Sequence, residues 1–346
     1  MASNGSKTQA SPPPQGIYVP SPTFFVAEGT SSYNTTSPPL DLETQSKHSL
    51  FLVEGGVRGL VLLGSTGEAI FIKPEERVQL LKSQRKALDD AGFKDRPIIA
   101  GTATQNIDET LQLIKESKDA GAEYAMVLSP GYFAPATSQS GIAKWFTQVA
   151  DRSPLPVMIY HYPGVTNNLF IAPSTFEQLA AHPNIVGTKL SHGIIDDQAL
   201  IAASPKIDHE HFYVFTGLGQ NLLPVLAIGG VAAIDGLAGV FPRVVVRLFD
   251  MFNQSLAKGM SKKDMDEMRL LQFRICEGEK LVARWGVVGM KEACDRIWGL
   301  GSRTGGRLPL AGGFEEGDGE WSKWSKVFEG LKDLENQFKS EDTKGK

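Results

Sequence analysis

Short apolar runs alternate with longer amphipathic stretches along most of the chain. The runs occupy residues 57–63, 97–100, 124–128, 156–160, 185–189, 212–216 and 231–234. Each is short enough for a buried strand and too short for a typical helix. None alternates apolar with polar positions; strands covered on both faces, as in a parallel sheet, have this unbroken character. Between the runs lie helical patterns. Asn106 is placed to cap a helix that carries Ile107, Leu111 and Ile114 on one face, with Glu109 three residues on, as in a capping box, and Gly121 at its close. Pro74 suits the first turn of a helix through Arg77, Val78 and Leu81. Strand and helix in repeated succession predict βαβ units.

Seven strands do not close a barrel of this type, so an eighth is expected within residues 17–25, although Pro20 and Pro22 cannot donate to a ladder. After Pro242 the strand signals stop. Segments 243–258, 262–283, 289–298 and 320–338 carry helical patterns, and the glycine-rich stretch 301–319 reads as a loop. The expected fold class is α/β: a (β/α)8 TIM barrel over residues 16–242 with a C-terminal helical extension, residues 243–338, packed on it. Residues 1–15, rich in Ser, Pro and Gln, read as a disordered N-terminal arm, and residues 339–346 as a disordered tail. A chain of 346 residues accommodates a barrel of about 250 residues and such an extension.

Charge and composition narrow the function classes. The net charge is −4 and no strongly basic stretch exists, which argues against a nucleic-acid partner. The run 82–86 lies within a helical pattern and reads as its solvated face. No apolar run reaches the roughly 18 to 20 residues of a membrane helix. The first residues lack the apolar core of a signal peptide and the arginines of a mitochondrial presequence, and the Lys-Gly-Lys ending is not a peroxisomal address, so a cytoplasmic location is the expectation. Cys276 and Cys294 are the two cysteines, too few for a disulfide framework.

In a (β/α)8 barrel, chemistry sits at the C-terminal ends of the strands. Those ends carry Gly64-Ser65-Thr66-Gly67-Glu68, then Pro130-Gly131-Tyr132, Tyr160 followed by His161-Tyr162-Pro163-Gly164, Lys189, and Thr216-Gly217. A lysine that ends the run Ile185-Val186-Gly187-Thr188 points into or over the barrel mouth. Burial there favours the neutral amine, a nucleophile toward a ketone; the same position also suits a lysine that has simply reached solvent. The Gly-Ser-Thr-Gly-Glu turn offers hydroxyls and backbone N–H groups that cradle a carboxylate, or it is a glycine-rich turn without a ligand. Tyr160 is a candidate acid/base, and as a strand tyrosine it equally suits a cap on the barrel core; the same holds for Tyr132. His209-Glu210-His211, with His161 and His192, is the rival signal for a zinc site. His209 and His211 precede their strand, at the wrong face of the barrel, so no metal is expected. Trp321 and Trp324 have the i, i+3 spacing of helix packing.

Taken together, these strings resemble the dihydrodipicolinate synthase / N-acetylneuraminate lyase family of pyruvate-dependent aldolases. The resemblance rests on Gly64 to Glu68, on Tyr160 to Pro163, on Lys189 in Val186-Gly187-Thr188-Lys189 and on the separation of Tyr160 from Lys189. It spans residues 16–334. Within the family, several segments are similar to the fungal 2-keto-3-deoxy-L-galactonate aldolases: Pro13-Pro14-Gln15-Gly16, Arg58 to Gly64, Tyr160 to Gly164, Lys189-Leu190-Ser191-His192-Gly193 and Arg307-Leu308-Pro309-Leu310-Ala311-Gly312-Gly313. The resemblance implies that Lys189 forms an imine with C2 of a 2-keto acid. It implies that Ser65 and Thr66 hold the carboxylate, that Ser65 links Tyr160 to Tyr132 in a proton relay, and that Gly217 lines the pocket. Tyr132 would reach across a subunit interface, so a homotetramer is implied, and no metal or organic cofactor is required. One departure matters. The biosynthetic synthases carry an arginine two residues after the proline of this segment, where Val165 stands here, and the loss of a carboxylate partner argues against lysine biosynthesis. By position alone, Ser191 and His192 are partners for sugar hydroxyls or caps of the following helix. The competing expectations are a 4-hydroxy-2-oxoglutarate aldolase and a barrel that has lost catalysis and serves as a binding protein.

Overall fold

The computed structural model describes residues 9–310 and 312–344. Its eight strands are β1 (Tyr18–Pro20), β2 (Gly59–Leu62), β3 (Ile98–Thr102), β4 (Tyr124–Leu128), β5 (Val157–His161), β6 (Ile185–Leu190), β7 (Tyr213–Thr216) and β8 (Ala232–Ala233). They pair in sequence order, all parallel, and a bridge from Tyr18 to Ile234 brings β8 back to β1. The strand expected near the N-terminus is present; Pro20 is its last residue, and the next amide, Ser21 N, takes up the ladder by donating to Val61 O at 3.0 Å. The helices that follow the strands in turn are α1 (Leu42–Glu54), α2 (Pro74–Asp90), α3 (Ile107–Asp119), α4 (Gln139–Arg152), α5 (Pro173–Ala180), α6 (Ile195–Ala202), α7 (Leu222–Ala227) and α8 (Pro242–Lys258). Asn106 Oδ1 caps α3, accepting from Asp108 N and Glu109 N, whereas the Glu109 carboxylate accepts from Thr104 Oγ1 and does not close a reciprocal box.

The apolar runs are unbroken because each strand faces two cores. Leu60, Leu62, Ile98, Ala100, Ala125 and Val127 pack outward against the helices. Val61, Ile99, Met126, Met158 and Phe215 fill the barrel interior. Burial of both faces supplies the apolar area that lets so large a sheet close on itself.

Several boundaries differ from the expectation. Residues 9–15 are not a free arm. Ala10 N donates to Pro183 O, and Tyr124 Oη and Tyr18 Oη donate to Pro12 O and Pro14 O, so this segment closes the N-terminal end of the barrel. Prolines lack N–H but keep a carbonyl acceptor, which is what the two partly covered tyrosine hydroxyls need there. The part of the expected arm before residue 9 lies outside the described residues. The helix α8 follows β8 and packs beside α7 as the eighth helix of the outer ring, so the barrel runs past Pro242. The extension comprises α9 (Lys262–Trp298), α10 (Asp318–Trp321) and α11 (Ser325–Lys344). The backbone of the last helix continues through residues expected as a tail. In α9, Gly286 leaves helical geometry at φ +53°, where the sequence pattern separates two helices.

Candidate active site

Lys189 lies in β6 beside Tyr160 of β5 and Phe215 of β7, its register partners. Side chains at one level of a parallel sheet share a face, so all three point into the barrel. A strict two-residue period would then turn Val186 outward, yet Val186 belongs to the inner core. The β5–β6 register shifts between Val157 and Met158, and this irregularity resets the phase. It needs Gly187, where a Cβ would lie 2.5 Å from Tyr213 O.

Lys189 is 3% exposed. Burial lowers its pKa to about 7, against the opposing pull of the Asp235 carboxylate. Its Nζ stands 4.6 Å from the Tyr160 ring centroid. Tyr160 Oη is hydrogen-bonded to Ser65 Oγ at 2.9 Å and also meets the Ser191 hydroxyl. Burial raises the phenol well above its ordinary value, and the two serines work in the other direction. A cavity of about 320 Å³ opens on these groups, lined also by Thr66, Gly217 and Val165. Gly217 has a steric reason to be glycine: a Cβ there would lie 2.9 Å from Lys189 Cε and collide with Ser191 Oγ. Lys189, Tyr160, Ser65, Thr66, Ser191 and Gly217, singled out from sequence, thus share one cavity.

A second cavity of about 390 Å³ lies on the far side of Tyr160 and Ser65. Tyr132 borders this one and not the Lys189 cavity; the residue is 69% exposed and its ring packs edge-to-face on Phe133. Within one chain it forms no bond to Ser65. Glu68, which ends the Gly-Ser-Thr-Gly-Glu turn in a left-handed conformation (φ +54°), pairs with Lys291 of α9 in a buried ion pair. Arg307 braces the loop 301–319 by donating to both carboxylate oxygens of Glu76 and to Phe71 O and Pro38 O. The loop thereby sets Leu310 against both cavities.

The model of the dihydrodipicolinate synthetase family matches residues 27–322. The chain belongs to this family. Its relatives include the L-threo-3-deoxy-hexylosonate aldolase of Aspergillus niger, 33% identical over 86% of this chain and 89% of that protein. A probable mitochondrial 4-hydroxy-2-oxoglutarate aldolase of Emericella nidulans is 31% identical over 94% of this chain and 97% of its own length. Among solved structures, YagE, a prophage protein of the dihydrodipicolinic acid synthase family from E. coli K12 in complex with pyruvate, is 26% identical. It superposes with a TM-score of 0.75 over 94% of this chain and 98% of that one.

Not every candidate meets at the site of this dihydrodipicolinate synthetase family member. His192 does not line either cavity. Its Nδ1 accepts from Ile194 N and its carbonyl accepts from Gln198 Nε2, so it is fixed in the turn that leads into α6 while its ring meets His161 edge-on. Burial lowers the pKa of His161 to about 3. His211 bonds to Ala10 O and His182 O at the opposite end of the barrel. No group of three or more potential metal ligands occurs among the described residues, and no helix among them is long and apolar enough to cross a membrane. Sequence reading missed Leu310, Asp235 and Glu279. Asp235 had a signal, a carboxylate just beyond an apolar strand; Glu279 had none, standing mid-helix.

Proposed function

We propose that the protein is a class I aldolase, a carbon–carbon lyase that cleaves 2-keto-3-deoxy-L-galactonate (L-threo-3-deoxy-hexulosonate) to pyruvate and L-glyceraldehyde. The observation that carries this reading is Lys189: a buried amine with a pKa of about 7, facing a cavity beside a hydrogen-bonded tyrosine. The amine adds to C2 of the keto acid and water leaves, giving a protonated imine. Cleavage of C3–C4 then sends its electron pair into the imine, so an enamine forms in place of a carbanion. Tyr160 takes the proton of the C4 hydroxyl. Its ionisation is assisted by Ser65 and Ser191 and by the new positive charge at Nζ. Protonation of the enamine and hydrolysis release pyruvate. Ser65 and Thr66 hold the substrate carboxylate in this reading.

The sugar-acid substrate is supported by relatives carrying that name and by the charge of the site. Lys189 is the only cation among the described residues that line the two cavities, whereas Glu68 and Glu279 are acidic. A second carboxylate finds no partner there, and hydroxyl groups do. Exposed Tyr132 and Phe133 support a homotetramer in which Tyr132 completes the relay of another subunit. A cytoplasmic location belongs to the same proposal. The test is pyruvate release from 2-keto-3-deoxy-L-galactonate and from 4-hydroxy-2-oxoglutarate, side by side. Faster release from the sugar acid is expected; faster release from hydroxyoxoglutarate overturns the substrate assignment while leaving the imine chemistry standing.

A further inference from the structure

Behind the turn Gly217-Leu218-Gly219 sit two carboxyl groups that the cleavage steps above do not use. Asp235 follows β8 and is fully buried, and Glu279 of α9 is 5% exposed and lines the Lys189 cavity. Asp235 Oδ2 accepts from Ala238 N at 2.8 Å, and Glu279 Oε1 accepts from Leu237 N at 3.2 Å. Asp235 Oδ1 and Glu279 Oε1 both crowd the place that a Cβ on Gly219 would take, and two buried carboxyls this close favour one proton between them. Burial and the neighbouring Asp235 charge raise the pKa of Glu279 well above the ordinary range, so Glu279 holds that proton. Asp235 Oδ1 has no other donor among the described residues, and neither carboxyl forms an ion pair there.

The turn is pinched between these acids and the amine. A Cβ at Gly219 would lie 2.7 Å from Glu279 Oε1 and collide with Asp235 Oδ1, just as one at Gly217 would lie 2.9 Å from Lys189 Cε. A buried charge without a counter-charge is costly. The groups facing this space are Tyr160 and Tyr162 from β5 and the turn after it, Lys189 from β6, and Cys276 one turn before Glu279 on α9. Of these, Lys189 alone is cationic.

We propose that Asp235 and Glu279 form a one-proton, singly negative positioning pair that serves as the counter-ion of the protonated imine on Lys189. The proposal rests on the imine reading. Before substrate binds, the pair faces an amine poised between its two protonation states. Condensation removes water and leaves a cation at Nζ, and the pair then has its complement across the turn. Glu279 anchors Asp235 by donating its proton, and the charge that acts on Lys189 is that of Asp235.

The experiment is borohydride reduction in the presence of pyruvate, read by intact mass across pH. Hydride delivered to the imine carbon makes the adduct permanent. Wild type is expected to trap pyruvate; if it does not, the imine reading itself fails. With trapping in hand, Asp235→Asn moves two features in opposite senses. The acidic limb shifts down by about one pH unit, because the amine loses the anion that favoured its proton. The pyruvate concentration for half-trapping rises about tenfold, because the imine loses its counter-ion. A loss of structure alone would not lower the acidic limb. Glu279→Gln, which keeps a neutral donor to Asp235, leaves the limb in place. An unmoved limb and half-trapping concentration in Asp235→Asn overturn the proposal, and so does a shifted limb in Glu279→Gln. Should Asp235→Asn not fold, infrared difference spectra of wild type decide. A protonated-carboxyl band that pyruvate displaces and Glu279→Gln removes supports the pair; no such band, or one indifferent to pyruvate, overturns it.

Discussion

Two buried lysines stand on opposite sides of the Gly-Ser-Thr-Gly-Glu turn, and the protein treats them differently. Burial lowers the pKa of both. Lys291 is paired directly with Glu68, beneath Phe25 and beside Arg307, in a cluster that ties the turn after β2 to α9. Lys189 has no such partner. Its nearest aromatic neighbour is Tyr160, and the acid that acts on it lies behind a turn. The difference teaches that burial alone does not make a lysine reactive. A direct, buried carboxylate opposes the loss of a proton from Lys291 and ties it into the structure, whereas Lys189 faces open space and an indirect anion, the setting that the proposed imine chemistry needs.

The comparison breaks most decisively at Lys189. Lys189→Ala is expected to abolish pyruvate release and borohydride trapping while the protein stays folded; full trapping in that variant would show that another amine does the chemistry. The partner experiment is Lys291→Met. It strands Glu68 in the interior and costs about 3–5 kcal/mol of stability, measured by denaturant unfolding, while trapping per folded molecule persists. The double change Lys291→Met with Glu68→Gln recovers much of that loss, since neither charge is left alone. If Lys291→Met is stable and untrappable, the roles are reversed.

Tyr160→Phe sharpens the picture on the Lys189 side. Turnover is expected to fall by roughly 10²-fold or more with trapping of pyruvate intact, and an unchanged rate removes Tyr160 from the mechanism. A smaller effect comes from Val165→Arg at the rim of both cavities. A cation there should favour 4-hydroxy-2-oxoglutarate over the sugar acid by about tenfold in relative kcat/KM, the scale of one charge-assisted hydrogen bond. The finest test is pH linkage. The folded pKa of Lys189, about 7, lies below the ordinary 10.5 of the unfolded chain. Between those values the unfolded chain binds the extra proton, so this lysine makes stability rise with pH across that window. Lys189→Met is expected to flatten that slope, measured by denaturant unfolding across pH; an unchanged slope would show that the folded protein holds the Lys189 proton as tightly as the unfolded chain does.

The candidate site was legible at the strand ends and illegible elsewhere. Ser65, Thr66, Tyr160, Lys189, Ser191 and Gly217 could be picked out because a parallel barrel delivers the ends of its strands to one mouth. His192 misled, since adjacency to Lys189 along the chain does not imply a shared face: the backbone carries it into the turn that leads to α6. Leu310 lay in a string that was recognised without a role. Its place depends on Arg307 reaching Glu76, two segments far apart in sequence.

Local pattern was thus enough for seven of the strands, their burial on both faces and the helical extension, because hydrophobic period and strand length are properties of neighbouring residues. Folding in three dimensions alone settled three things. The register shift in β6 lets Val186 and Lys189 share the barrel interior. The paired glycines of the 217–219 turn admit Lys189 on one side and two acids on the other. Each buried lysine meets its own carboxylate, Lys291 pairing directly with Glu68 and Lys189 feeling Asp235 across a turn. Each of these is set by packing between segments distant in the chain, and the energy of a buried charge is decided by the group opposite it.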